Sequence, residues 1–373
     1  MNKNIALIFS SDSFLSNPNQ ILSTFYNDCI IVISHDATKL LKIRTKYSKF
    51  TNLVICERKN IRKLILGKKI SYDFILIGTS ESDMRIAAMN KIVLIKPNWM
   101  KNIDTTIKKY GFPIEDINSL AEYISIYKKA NIWFEEINVS ENMTVRALMS
   151  VKTYHTQDYS KEEIALVTAF RNLLKYGTEG DNVSYFNILY YYLSSMIAKD
   201  TEMQNIQDWA IFPSSKCNLN PEMNNFKERI RFLMNGKKPE NIFLRYKQIS
   251  PSHNLHYNQR LWCSRHFDSI MLNPFYRDKL RNRTVCVLDD FLTHGTSFEV
   301  VRNLLTHEKV KKIYCIALGS FEQPYIKQSY TLNGDLYSPD YIYEYQNCET
   351  LSPIINRNAL ALICELSNDF NIK

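Results

Sequence analysis

One unit recurs in this chain and constrains its fold more than any other feature. It is a short apolar run, rich in β-branched residues, that stops at a small polar loop and leads into a helix-forming stretch. Ile5–Phe9 stops at Ser10-Ser11-Asp12-Ser13. Cys29–Ser34 leads into a helical stretch, Ala37–Tyr47. Asn52–Cys56 is a third run. Phe74–Ile77 is a fourth and stops at Gly78-Thr79-Ser80-Glu81-Ser82-Asp83. Ile86–Met89 opens a short helix, and Ile92–Ile95 is a fifth run. Runs this short are strands, and their unbroken apolar character means that both faces are covered. Strands alternating with helices predict a doubly wound parallel sheet. Pro97-Asn98-Trp99 is expected to end it.

The unit returns in the second half in its most chemically loaded form. Val285, Cys286, Val287 and Leu288 form the strand. Asp289 and Asp290 stand at its carboxyl end, followed by Phe291, Leu292 and the loop Thr293-His294-Gly295-Thr296-Ser297. A helix follows, with Phe298, Val301, Leu304 and Leu305 as its apolar stripe and Thr296/Glu299 at capping-box spacing. Gly295 permits a backbone angle closed to other residues. A branched side chain there is expected to damage phosphate binding more than stability. The amides of such a loop, at a helix N-terminus, suit a phosphate. Two adjacent acids beside an anion site make sense as acceptors for a sugar diol near a divalent cation. The combination points to a sugar phosphate.

Val285–Ser297 resembles the ribose-5-phosphate signature of type I phosphoribosyltransferases: apolar strand, two acids, two apolar residues, then Thr-x-Gly-Thr-Ser. His294 replaces the small residue usual at its position. The resemblance implies that Asp289 and Asp290 hold the ribose hydroxyls of phosphoribosyl pyrophosphate and lie near Mg²⁺, and that Thr293, His294, Gly295, Thr296 and Ser297 cradle the 5′-phosphate. It implies that the Asp208–Lys216 strand and loop bring Ser214, Ser215 and Lys216 to the pyrophosphate. Phe243–Lys247, then Ser252-His253-Asn254-Leu255 and Asn258-Gln259-Arg260, resemble the ComF-like branch of that family, with Arg245, Lys247 and Arg260 as cover for the pyrophosphate. A solvated basic face is the alternative for these three. The reaction implied is displacement of pyrophosphate at C1 through an oxocarbenium-like state, with positioning and charge compensation as the protein's contribution.

The first half resembles haloacid-dehalogenase-like phosphatases. Ile77–Asn90 matches that family's fourth motif, and Ser34 its second. Lys59, Lys63 and Lys68 are candidates for the third. Ser10 stands at the nucleophile position and Thr79 at a metal position, where the family has carboxylates. That removes nucleophile and metal ligand together, so the expectation is a degenerate domain without phosphatase activity. Asp12 and Asp83 leave room for a weak cation site. A generic Rossmann-like domain is the alternative.

The expected architecture is α/β: two doubly wound parallel-sheet domains, residues 1–135 and 136–373. Between the motifs, Asn118–Ala130, Lys161–Leu174, residues 183–200 and Ala359–Phe370 read as helices. Ile132–Val139 and Lys312–Leu318 read as strands, and Thr153–Ser160 and Tyr176–Asp181 as loop and turn. The tyrosine-rich segment 322–356 is a candidate hood over a base.

Composition excludes some classes. No apolar run approaches the roughly 20 residues of a membrane span. Eight cysteines are scattered without a C-x-x-C pair, which predicts reduced, structural thiols in a cytoplasmic protein. The net charge of +9 suits a phosphorylated ligand, or a nucleic-acid or protein partner. Self-association into a homo-oligomer is open. The expected partner is phosphoribosyl pyrophosphate or a nucleotide, with Mg²⁺. The alternative is a nucleotide sensor without turnover, since the fusion resembles architectures from bacterial defence loci, including retron-associated effectors.

Overall fold

A computed structural model describes residues 3–154, 157, 159–176, 183–251 and 255–369. Ser252-His253-Asn254, the Gly177–Asp181 part of the expected turn and part of the 153–160 loop lie outside them.

The first sheet contains β1 (Asn4–Ser10), β2 (Cys29–Ser34), β3 (Leu53–Glu57), β4 (Tyr72–Ile77), β5 (Val93–Pro97) and β6 (Phe112–Ile114). Its order is β3-β2-β1-β4-β5-β6, parallel throughout. The apolar runs Ala6–Phe9, Ile30–Ile33 and Phe74–Ile77 are buried, as helices on both faces require. The order reverses between β1 and β4, the switch point where such sheets open a crevice. Contrary to expectation, the sheet does not end at Pro97–Trp99. β6 extends it with three residues centred on Pro113, and a proline is tolerated in so short a strand at an edge.

The remaining strands are β7 (Glu135–Ser140), β8 (Met143–Ser150), β9 (Asp208–Ile211), β10 (Phe243–Arg245), β11 (Ile270–Leu272), β12 (Thr284–Leu292), β13 (Lys312–Ser320), β14 (Tyr325–Asn333), β15 (Ile342–Leu351) and β16 (Ile354–Ile355). The second sheet runs β16-β7-β8-β13-β12-β9. Its core of β8, β13, β12 and β9 is parallel; at one edge β7 pairs antiparallel with β8, and β16 antiparallel with β7. β10 with β11 and β14 with β15 form separate antiparallel pairs.

Alternation along β12 divides the core. Val285 and Val287 face one cluster with Val145, Ala210, Cys315 and the helix Thr296–His307. Cys286 and Leu288 face the other, with Trp209, Ile211, Tyr314 and Ile316. That second cluster is continuous with the core of the first sheet, so the halves share one interior, although the first sheet's last strand ends at Ile114 and the second sheet's first begins at Glu135.

The aromatic helix Val183–Lys199 joins them. Its Tyr191 hydroxyl donates to Gly111 O at 2.7 Å and its Tyr192 hydroxyl to Ile132 O at 2.7 Å. Lys199 Nζ donates to Tyr127 O at 2.6 Å. The tyrosines thus bury their rings at the junction while their hydroxyls satisfy carbonyls there.

Candidate functional site

β12 carries its two carboxylates to the carboxyl edge of the parallel core. Asp289 pairs in register with Ala317 of β13, and Leu288 with Ile211 of β9. Strand alternation places Asp289 in the row of Val285 and Val287, and Asp290 in the row of Cys286 and Leu288. Asp290 N donates to Asp289 Oδ1 at 3.1 Å and Phe291 N to Asp290 Oδ1 at 2.7 Å. Burial pushes both carboxyl groups above the ordinary range. For Asp289 the neighbouring Asp290 charge adds to this, and a hydrogen bond from Ser297 opposes it. A pair held this way favours a cation or hydroxyl donors beside it.

The loop turns on Gly295. Its φ is +80° and it is the N-cap of Thr296–His307. A Cβ here would lie 2.1, 2.4 and 2.6 Å from ring atoms of Tyr325. Gly295 O accepts the first helical bond, from Glu299 N at 2.8 Å. The amides of Thr296, Ser297 and Phe298 therefore precede the helical ladder and are available to an anion. Thr293 is exposed. The Thr296 hydroxyl donates to Arg260 O at 2.9 Å. His294 is turned inward, with Nδ1 2.9 Å from Pro324 O and its ring edge-on to Tyr257.

The expected Thr296/Glu299 capping box is absent. Thr296 is the first helical residue, and Glu299 is fully buried. Glu299 accepts from Arg302 Nε and Nη2 at 2.9 and 2.8 Å, from Tyr325 OH at 2.7 Å and from Gln328 N at 2.7 Å. This network ties the helix to β14. Only the three-residue spacing of Glu299 and Arg302 was visible in sequence.

On the neighbouring strand end, the 213–216 loop is held by Arg245. Arg245 is buried; its Nε donates to Ser214 O at 2.6 Å, Nη1 to Ser269 Oγ at 2.5 Å and Nη2 to Pro213 O at 3.3 Å. Its guanidinium therefore shapes the loop instead of covering it. Burial, then the charge of Arg265, push its pKa down to about 10, and Asp289 pulls the other way. Arg265 is in turn lowered by burial and by Arg260. Buried His266, with Nδ1 3.2 Å from Arg245 Nη2, is held well below its ordinary pKa by burial and by both arginines, and is neutral. Arg265 and His266 gave no motif-level signal. Ser214 closes its own turn on Asn218 O at 2.7 Å. Ser215 is half-buried, and Lys216, Lys247 and Arg260 are exposed.

Another carboxyl cluster shares this sheet edge. Buried Glu135 accepts from the Ser320 hydroxyl. Ser150 Oγ and Tyr159 OH donate to Glu322 Oε1, both at 2.6 Å. Burial pushes Glu135 up to about 7; the Ser320 bond opposes the shift and the Glu322 charge adds to it.

In the first half, Ser10 caps the helix Ser11–Ser16 by accepting from Ser13 N at 3.2 Å. Ser11 Oγ lies 3.3 Å from Ser34 Oγ. Asp83 is buried: Oδ2 accepts from Thr79 N, Ser80 N and Ser80 Oγ at 2.9–3.0 Å, and Oδ1 from Arg58 Nη2 at 2.6 Å. Asp12 pairs with Lys39, and exposed Lys59 with Glu57. Asp12 and Asp83, the pair expected to leave a weak cation site, are each engaged by a cation of the chain itself, Lys39 and Arg58.

Among the described residues, no group of three or more His, Cys, Asp or Glu side chains could hold a metal ion. Asp289 and Asp290 place two carboxylates in succession at the strand end, oxygen donors of the kind a hard divalent cation takes. All eight thiols are free, with Cys217 and Cys348 exposed. No helix among the described residues is long and apolar enough to cross a membrane. No family model, curated protein or solved structure matches the chain.

Proposed function

We propose that the chain binds a ribose 5-phosphate group, as phosphoribosyl pyrophosphate or a nucleotide, at Asp289–Ser297, and transfers the sugar phosphate to a base-like acceptor. One observation carries the reading: two carboxylates at a strand end stand just before a left-handed glycine that opens a helix, all on the carboxyl edge of a parallel sheet. In this reading the amides of Thr296, Ser297 and Phe298 hold the phosphate, and Asp289 and Asp290 accept from the diol. The Arg245-braced loop presents Ser215 and Lys216. Asp289 and Asp290 would also hold Mg²⁺, which supplies charge neutralisation at the pyrophosphate. The first half contributes packing through the shared core and has no phosphatase role.

The test is calorimetry of phosphoribosyl pyrophosphate and nucleoside monophosphates with Mg²⁺, on the wild type and on Asp289→Asn/Asp290→Asn. Charge-assisted hydrogen bonds of about 1.5–3 kcal/mol each weaken binding about tenfold or more when lost. Unchanged affinity in the double variant overturns the assignment. Pyrophosphate release across a panel of bases separates transfer from sensing: binding without release leaves a nucleotide sensor.

A further inference from the structure

Away from Asp289–Ser297, a cavity of about 280 Å³ opens where the two halves meet. Lys96 of β5 lines it, with Lys108 and Lys109 of the helix Thr105–Tyr110 and Arg229 of the helix Pro221–Leu233. Among the described residues, none that lines it is acidic. We propose that this cleft is a second anion site, built for a diphosphate-sized ligand.

Arg229 is fixed in advance. Its guanidinium lies 4.0 Å from the Tyr190 ring centroid, and Nη1 donates to Asn187 Oδ1 at 2.6 Å. Nη2 is 3.4 Å from the Tyr191 hydroxyl. Its buried Nε has no hydrogen-bond partner among the described residues. A guanidinium pinned on an aromatic face loses little freedom on binding an anion. Nearby acids do not balance the cluster. Glu228, beside Arg229, pairs with Lys227 and Arg231. Glu115 attracts Lys96 but is exposed and takes the Asn98 amide. Lys96 is half-buried; burial lowers its pKa, Glu115 opposes the shift and Lys108 adds to it. Like charges gathered in one concavity raise the free energy of the empty state, and a multivalent anion relieves it. The volume sits just under the usual range for drug-sized ligands, which favours a compact diphosphate over a whole nucleotide.

The experiment is calorimetric titration of the full chain with inorganic pyrophosphate, without divalent cation and at low salt. The wild type is expected to bind. Lys96→Gln/Lys108→Gln/Lys109→Gln is expected to bind about tenfold more weakly or worse, and Asp289→Asn/Asp290→Asn to retain this binding. Because Lys96 is half-buried, Lys108→Gln/Lys109→Gln, both exposed, is measured alongside with circular dichroism to establish folding. It is expected to weaken binding in the same direction. Absence of wild-type binding, or an isotherm unchanged by the lysine substitutions, overturns the proposal.

Discussion

Gly295→Ala concentrates the structural argument in a single methyl group. The backbone angle of +80° places the residue in the left-handed region, where an L side chain costs about 1–2 kcal/mol. The added Cβ would also meet three atoms of the Tyr325 ring at 2.1–2.6 Å. Tyr325 is fully buried, and its hydroxyl is held by Glu299 at 2.7 Å. The ring therefore has no free direction in which to retreat, and overpacking of this kind costs about 1–3 kcal/mol. Together the terms give a loss of about 2–5 kcal/mol, readable as a fall in the urea midpoint at constant slope. Gly67→Ala is the matched control. Gly67 lies inside the helix Ile61–Lys68 and a Cβ there meets nothing within 4 Å, so the change is expected to stabilise by up to about 1 kcal/mol. A loss below about 1 kcal/mol for Gly295→Ala would refute the assigned contact with Tyr325. The loop sequence alone locates the harm of Gly295→Val in phosphate binding; Tyr325 adds damage to the fold itself.

Other outcomes follow from the same geometry. Asp289 and Asp290 have raised pKa values in the fold, so the folded state holds their protons more tightly than the unfolded chain and stability falls as pH rises above the ordinary carboxylate range. Asp290→Asn is expected to stabilise the ligand-free protein at neutral pH; a lower urea midpoint would contradict this. Glu135 holds a proton in the fold up to about 7, against 4.5 ordinarily. Between those values the folded state binds more protons than the unfolded one, so stability falls as pH rises. Glu135→Gln should flatten that slope, measured by urea unfolding from pH 4.5 to 8; an unchanged slope would count against the shift. Arg58→Met leaves the Asp83 charge buried without its partner and is expected to cost about 3–5 kcal/mol, checked by urea unfolding. Phosphate monoester turnover by the wild type, abolished in Asp12→Asn, would show that the first half is a phosphatase after all.

The sequence alone determined β1 to β5, β12, β13 and the loaded loop, while β8, β10, β11 and the β14–β15 pair carried no expectation. Apolar runs such as Ile30–Ile33 and Val285–Leu288 are local signals, because a strand covered on both faces leaves no polar position in its pattern. The order of acids, glycine and helix in Asp289–His307 is likewise local. β6 was illegible because three residues centred on a proline carry no periodicity. Glu299 was misread because its partners, Tyr325 and Gln328, lie on another element, and a capping box has the same three-residue spacing as its pairing with Arg302. Arg245 reads as a ligand-facing cation until Ser214, Pro213 and Ser269 surround it. The shared core and the basic cleft were decided by tertiary structure alone, since they depend on which faces of distant elements meet. Lys96 and Arg229 are brought together only by the packing of one half on the other, and charges so far apart in sequence form a site only when the chain between them is folded.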